Sequence, residues 1–100
     1  MAAYLVAYVE QVLDQEGLLR YAGGAAELMA RFGGRYLFAS FGPRPLEGDH
    51  APQVLAVSEF PDAQAIQAFW ESPDYEPLRA LRHRSARVRI LLAEAAPMGG

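Results

Sequence analysis

His50 and Asp49 sit side by side in the segment EGDHAP, and a His beside a carboxylate can act as a general base near neutral pH or as one metal ligand. No second His stands at ligand spacing, because His83 falls in an arginine-rich stretch far downstream. No metal site is therefore expected, and the simpler reading of His50 is a solvated loop residue. Glu59 closes an otherwise apolar run next to Phe60-Pro61, where a half-buried carboxylate is placed for proton transfer unless an arginine pairs with it. Arg35, just after Gly33-Gly34, could face the loop that carries His50. His50, Glu59 and Arg35 are the candidate catalytic residues. Tyr4 and Tyr8 lie on one face of a strand and, with Trp70 and Tyr75, could line an aromatic pocket between sheet and helices. These four are the candidate ligand-binding residues, and the competing reading makes them core. Arg79, Arg82, Arg84, Arg87 and Arg89 supply five of nine basic residues and could hold a carboxylate or phosphate bidentately. Helix C-termini attract such charges for structural reasons alone.

Composition closes several other chemistries. The chain has no Cys, which excludes disulfides, thiolate catalysis and cysteine-ligated metals. It has no Lys, and its net charge of −3 argues against a surface that binds nucleic acid non-specifically. No phosphate-binding glycine loop, GxSxG elbow or HExxH motif occurs, and QVLAVSEF lacks the aromatic pattern of an RNA-recognition strand. No cofactor is expected. With 52% apolar residues in 100, the chain can bury one core, read as a single domain over 1–96 with a fraying tail at 97–100.

The elements that must position these residues follow from local pattern. Ala3 to Val9 is a strand without Gly or Pro. Asp14 caps a helix whose Leu18, Ala22, Ala25, Met29 and Phe32 recur at three- and four-residue spacing until Gly33-Gly34 stops it. Gly23-Gly24 inside this helix predicts a bend or a close approach to the sheet. Arg35 to Phe41 is a second strand, and the eleven residues Gly42 to Pro52, with three Pro and two Gly, form a loop. Gln53 to Phe60 is a third strand, after which Asp62 caps a short helix with Ala65, Ile66, Phe69 and Trp70 on its apolar stripe. Ser72-Pro73 starts another helical stretch, with a kink expected near Pro77, and Arg87 to Glu94 is the fourth strand.

The order strand, helix, strand, strand, helix, strand is the α+β, ferredoxin-like βαββαβ arrangement, a four-stranded antiparallel sheet with helices on one face. The strands are apolar at consecutive positions, so the second face of the sheet also needs cover, and a two-fold homodimer with sheets face to face supplies it. The opening MAAYLVAYV lacks a basic flank and is too short to span a bilayer, so it reads as a strand rather than a signal or anchor. A cytoplasmic location and no membrane partner are the expectation.

Five blocks, AYLVAYVEQVLD (Ala3 to Asp14), RFGGRYL (Arg31 to Leu37), LEGDHAP (Leu46 to Pro52), VSEFPD (Val57 to Asp62) and AFWESPDYEPLRALR (Ala68 to Arg82), together resemble the domain of unknown function 1330 family. The resemblance runs from Ala3 to Glu94 and implies the dimeric α+β barrel, but no reaction. Related dimeric α+β barrels include monooxygenases and isomerases acting on apolar or aromatic compounds, and by analogy the chain is expected to bind such a molecule and to act without a cofactor. The alternative is a non-catalytic regulatory or interaction dimer whose arginine group holds an acidic ligand or partner.

Overall fold

A computed structural model describes residues 1–99; Gly100, the last residue of the expected tail at 97–100, lies outside the described residues. The chain folds as β1 (Ala3–Val12), α1 (Gln15–Ala30), β2 (Arg35–Phe41), β3 (Val54–Phe60), α2 (Ala63–Glu71), a 3-10 turn (Pro73–Tyr75), α3 (Glu76–Ser85) and β4 (Ala86–Glu94). The strands run in the order β2-β3-β1-β4 and every neighbouring pair is antiparallel. This is the ferredoxin-like βαββαβ sheet read from the sequence, with the second helical stretch divided in two. No described helix is long and apolar enough to cross a membrane.

Two local readings need correction. No kink forms at Pro77, because the break comes earlier: Ser72 is extended, its Oγ accepts from the Asp74 N–H at 3.2 Å, and a 3-10 turn leads into α3. Pro77 then falls in the first turn of α3, where an N–H is not needed. The glycines of α1 thin its contact with α3 and not with the sheet. A Cβ on Gly24 would stand 2.6 Å from Cδ2 of Leu78, and one on Gly17 would collide with Oγ of Ser85. The two contacts lie about two turns apart on each helix, so α1 and α3 pack antiparallel over their length. The Leu13 and Asp14 N–H groups donate to the Ser85 carbonyl at 2.8 and 2.9 Å, tying the start of α1 to the end of α3.

Alternation along β1 sorts the side chains between two faces. Ala3, Leu5 and Val9 are buried beneath the helices, together with Phe60 of β3, Ala25, Leu28 and Met29 of α1, Ile66 and Phe69 of α2, and Tyr75. The Phe69 ring centres this core, 5.5 Å from Phe60 and 4.8 Å from Tyr75 between centroids. Tyr4, Val6, Tyr8 and Glu10 turn the other way. The register partners of the first three are Glu59, Val57 and Leu55 on β3 and Ala93, Leu91 and Arg89 on β4, while Glu10 falls at the irregularity between Val9 and Gln11. No described helix covers that face, where Leu91 is 55% exposed.

Candidate functional site

Between α1 and the sheet lies a cavity of about 320 Å³. Its floor exists because three strands place alanine at the same level: Ala39 of β2 pairs with Ala56 of β3, which pairs with Ala7 of β1, and Ile90 of β4 extends the row. Larger side chains at those positions would fill the space. Leu18, Tyr21 and Ala22 of α1 form its roof, and Leu5 and Val9 add to an almost wholly apolar lining. The polar groups that reach it are Ser58, Tyr21, Tyr36 and Arg82.

Those groups are held by aromatic neighbours. The Tyr21 and Tyr75 hydroxyls share a hydrogen bond of 2.8 Å. Burial, followed by the nearby Tyr75, raises the Tyr21 phenol, and burial pushes Tyr36 up to about 12, both in the direction away from ionisation. Arg82 is only 6% exposed, with its guanidinium carbon 5.6 Å from the Trp70 ring centre and 5.9 Å from that of Tyr21. Its Nε is buried without a hydrogen-bond partner among the described residues. Arg79, one turn earlier, is fully engaged: it pairs with Glu76, donates to the Trp70 carbonyl at 2.7 Å and stacks on Trp70 and Tyr75.

The expected aromatic pocket is only half assembled. Trp70 lines the cavity and Tyr75 lies fully buried behind it. Tyr4 and Tyr8 do not join them, because strand alternation puts Leu5, Ala7 and Val9 on the cavity side and the two tyrosines on the opposite face. There they belong to two polar clusters. At one end, Arg35 pairs with Glu59 at 3.1 Å and the Tyr4 hydroxyl donates to the same carboxylate at 3.1 Å. At the other, Nε2 of His50 lies 2.9 Å from Oε2 of Glu10, and Nε of Arg89 donates to Oε1 of Glu10 at 2.8 Å. Tyr8 packs beside this group, its ring centre 6.0 Å from that of His50. Tyr4 and Tyr8 are four residues apart, about 13 Å along a strand, so Arg35 does not face His50 as expected. Of the catalytic candidates, Glu59 and Arg35 thus pair with each other, His50 stands apart at the other end of that face, and none of the three reaches the cavity.

The arginine group near the C-terminus is dispersed as well: Arg79 caps an aromatic stack, Arg82 turns inward, and Arg89 serves Glu10. Among the described residues no group of three or more His, Cys, Asp or Glu is placed to hold a metal ion. Sequence reasoning missed Tyr21, Tyr36, Ser58 and the alanine row. Arg82 was legible, since Tyr75, Leu78, Arg82 and Ser85 recur at three- and four-residue spacing and so place a lone cation on the inward stripe of α3.

Among solved structures, the chain resembles a protein of unknown function from Rhodopseudomonas palustris, RPA0582, with a TM-score of 0.72 at 15% identity over 96% of this chain and 84% of that one. It also resembles SnoaB, a cofactor-independent oxygenase from Streptomyces nogalater, with a TM-score of 0.69 at 13% identity over 97% and 95% of the two chains. A dimeric ferredoxin-like protein of unknown function from Bacteroides fragilis NCTC 9343 gives 0.56 at 12% identity over 94% and 96%. Similarity at this level establishes the fold alone. No curated protein matches the sequence significantly. Residues 2–96 match the family described as Domain of unknown function (DUF1330), and the chain belongs to that family.

Proposed function

We propose that this protein is a cytoplasmic homodimer that binds a small apolar or aromatic molecule in the cavity between α1 and the sheet, and turns it over without a cofactor. The observation that carries the reading is the cavity itself, about 320 Å³ of apolar space floored by the Ala39, Ala56 and Ala7 row. A folded chain fills such space by packing unless the space is used. SnoaB, similar in fold, is described as a cofactor-independent oxygenase, which supports chemistry of that kind here. For any turnover in the cavity the groups within reach of the ligand are Tyr21, Tyr36, Ser58 and Arg82. His50, Glu59 and Arg35 lie on the far face of the sheet and serve the assembly instead.

That far face supports the dimer. Val6, Leu55 and Val57 are half-buried and Leu91 is exposed on a sheet side with no helix over it, and a second copy covers such a face without leaving apolar area in water. The Bacteroides fragilis protein of the same fold is described as dimeric. The alternative of a non-catalytic dimer holding an acidic partner on the Arg79 to Arg89 group has less support, since Arg79 and Arg89 are already paired with Glu76 and Glu10.

Native mass spectrometry of the protein as purified tests both parts. The expected spectrum shows twice the 11.0 kDa chain mass, with a retained small molecule or with mass gained on adding an aromatic probe. A monomer would overturn the assembly, and a dimer that takes up no apolar or aromatic probe would overturn the cavity reading.

A further inference from the structure

We propose that the cavity is built for an anionic ligand, a ring-bearing carboxylate whose charged end is held by Arg82. This deepens the reading above and rests on it. Arg82 is more than nine-tenths buried, yet it forms no salt bridge, while Arg31, Arg35, Arg79 and Arg89 each have a carboxylate among the described residues. A guanidinium cation taken out of water without a counter-charge is costly, and folded chains rarely leave one so. The faces of Trp70 and Tyr21 offset part of the cost by cation–π contact, but an aromatic face offers no lone pair to the in-plane N–H donors. Nε remains unpartnered. Nε itself is closed off, but the two terminal nitrogens are neither bonded among the described residues nor so closed, and because Arg82 lines the cavity wall they are the donors a ligand there can meet.

The rest of the lining defines the ligand further. One cation among apolar walls suits a single negative charge, and the guanidinium fork matches the two oxygens of a carboxylate. A phosphate would bring more charge and oxygens than this wall can meet. Tyr21 and Tyr36, which line the same cavity, carry neutral phenols that do not repel an anion. The apolar floor and roof take the body of the molecule. About 320 Å³ is at the small end of ligand pockets, which run roughly 300–1,000 Å³, so the body is one or two rings.

Titration calorimetry of the intact protein with naphthoate and with naphthalenemethanol, the same ring system without the charge, tests the assignment. Naphthoate is expected to bind about tenfold or more tightly than the alcohol, the usual effect of a charge-assisted pair. Arg82→Met should abolish that preference, and Arg82→Lys should keep only part of it. Equal binding of the two probes to the unmodified protein would overturn the Arg82 anchor and leave the apolar cavity standing. Binding of neither would overturn both readings. The two-probe comparison needs no variant, so the assignment stays falsifiable even where Arg82→Met fails to fold.

Discussion

The Tyr4 hydroxyl donates to Oε2 of Glu59 at 3.1 Å across the β1–β3 pairing, on the side of the sheet that faces away from the helices. The other oxygen of the same carboxylate holds Arg35, also at 3.1 Å. One acid on β3 thus ties down a side chain from β1 and another from β2 on the face proposed to meet the dimer partner. The hydrogen bond to Glu59 raises the Tyr4 phenol, so Tyr4 stays a donor.

In the proposed dimer, Glu59→Ala leaves a phenol and a guanidinium without their acceptor beneath the second copy. Leaving such groups unpaired at a covered interface weakens dimerisation by roughly tenfold or more. Cavity binding of an aromatic probe should be unchanged, because Glu59 stands on the other side of the sheet. Sedimentation across a dilution series measures the first quantity and calorimetry the second; lost probe binding with an intact dimer would return Glu59 to the ligand site.

The fold was legible because its signals are local. Asp14 and Asp62 cap the helices as read, Gly33 adopts φ +79 beyond α1, and four apolar runs became four strands. The site was less legible because facing is decided by register. Tyr4 and Tyr8 were correctly placed on one face, but only the pairing shows that Leu5 and Val9 own the helix side. Likewise no one-dimensional pattern announces that Ala7, Ala39 and Ala56, spread over nearly fifty positions, meet in one row.

Acid should weaken the fold through Glu10. The hydrogen bond from His50 holds this carboxylate below its usual 4.5, with Arg89 adding to the effect and partial desolvation opposing it. A group lowered in the folded state contributes stability above its ordinary value and loses it as pH falls through the lowered one. Thermal midpoints measured downward from about pH 5 should fall for the native sequence and fall less steeply for Glu10→Gln. Parallel curves would mean that the His50, Glu10 and Arg89 group carries no linkage.

Alkali should act through the cavity phenols. An unfolded tyrosine ionises near 10.0, whereas burial pushes Tyr36 up to about 12 and raises Tyr21 as well. Above pH 10.0 the unfolded chain sheds protons that the folded chain keeps, so stability falls as pH climbs toward 12. Phenolate absorbance should therefore show late-titrating tyrosines that ionise together with unfolding, and Tyr36→Phe should make the alkaline loss shallower. An equally steep loss in Tyr36→Phe would remove that phenol from the cause.

Two glycines of α1 separate propensity from packing. A Cβ at Gly23 meets nothing within 4 Å, so Gly23→Ala should stabilise the protein by about 0.5–1 kcal/mol through helix propensity alone. At Gly17 the same methyl collides with the Ser85 Oγ, which is fixed by its bond to the Leu81 carbonyl, and crowds the Asp14 cap at 2.9 Å. Gly17→Ala is expected to destabilise by about 1–3 kcal/mol. Urea unfolding of the two variants should move in opposite directions; a stabilised Gly17→Ala would show that α1 and α3 can part without cost.

The alanine row offers the sharpest control on where a ligand sits. Ala56 occupies the centre of the cavity floor, between Ala7 and Ala39. With about 320 Å³ above it, Ala56→Leu fills space without overpacking, so stability should hold or rise by up to about 2 kcal/mol from the added apolar burial. Probe binding should fall by about tenfold or more, since the new side chain occupies the volume the ring system needs. The neighbouring Leu55 and Val57 point to the opposite face, so the dimer should be untouched. Retained affinity in a folded Ala56→Leu protein would place the ligand elsewhere, in the second cavity of about 260 Å³ beside Ile66 and Leu92 or on the uncovered face of the sheet.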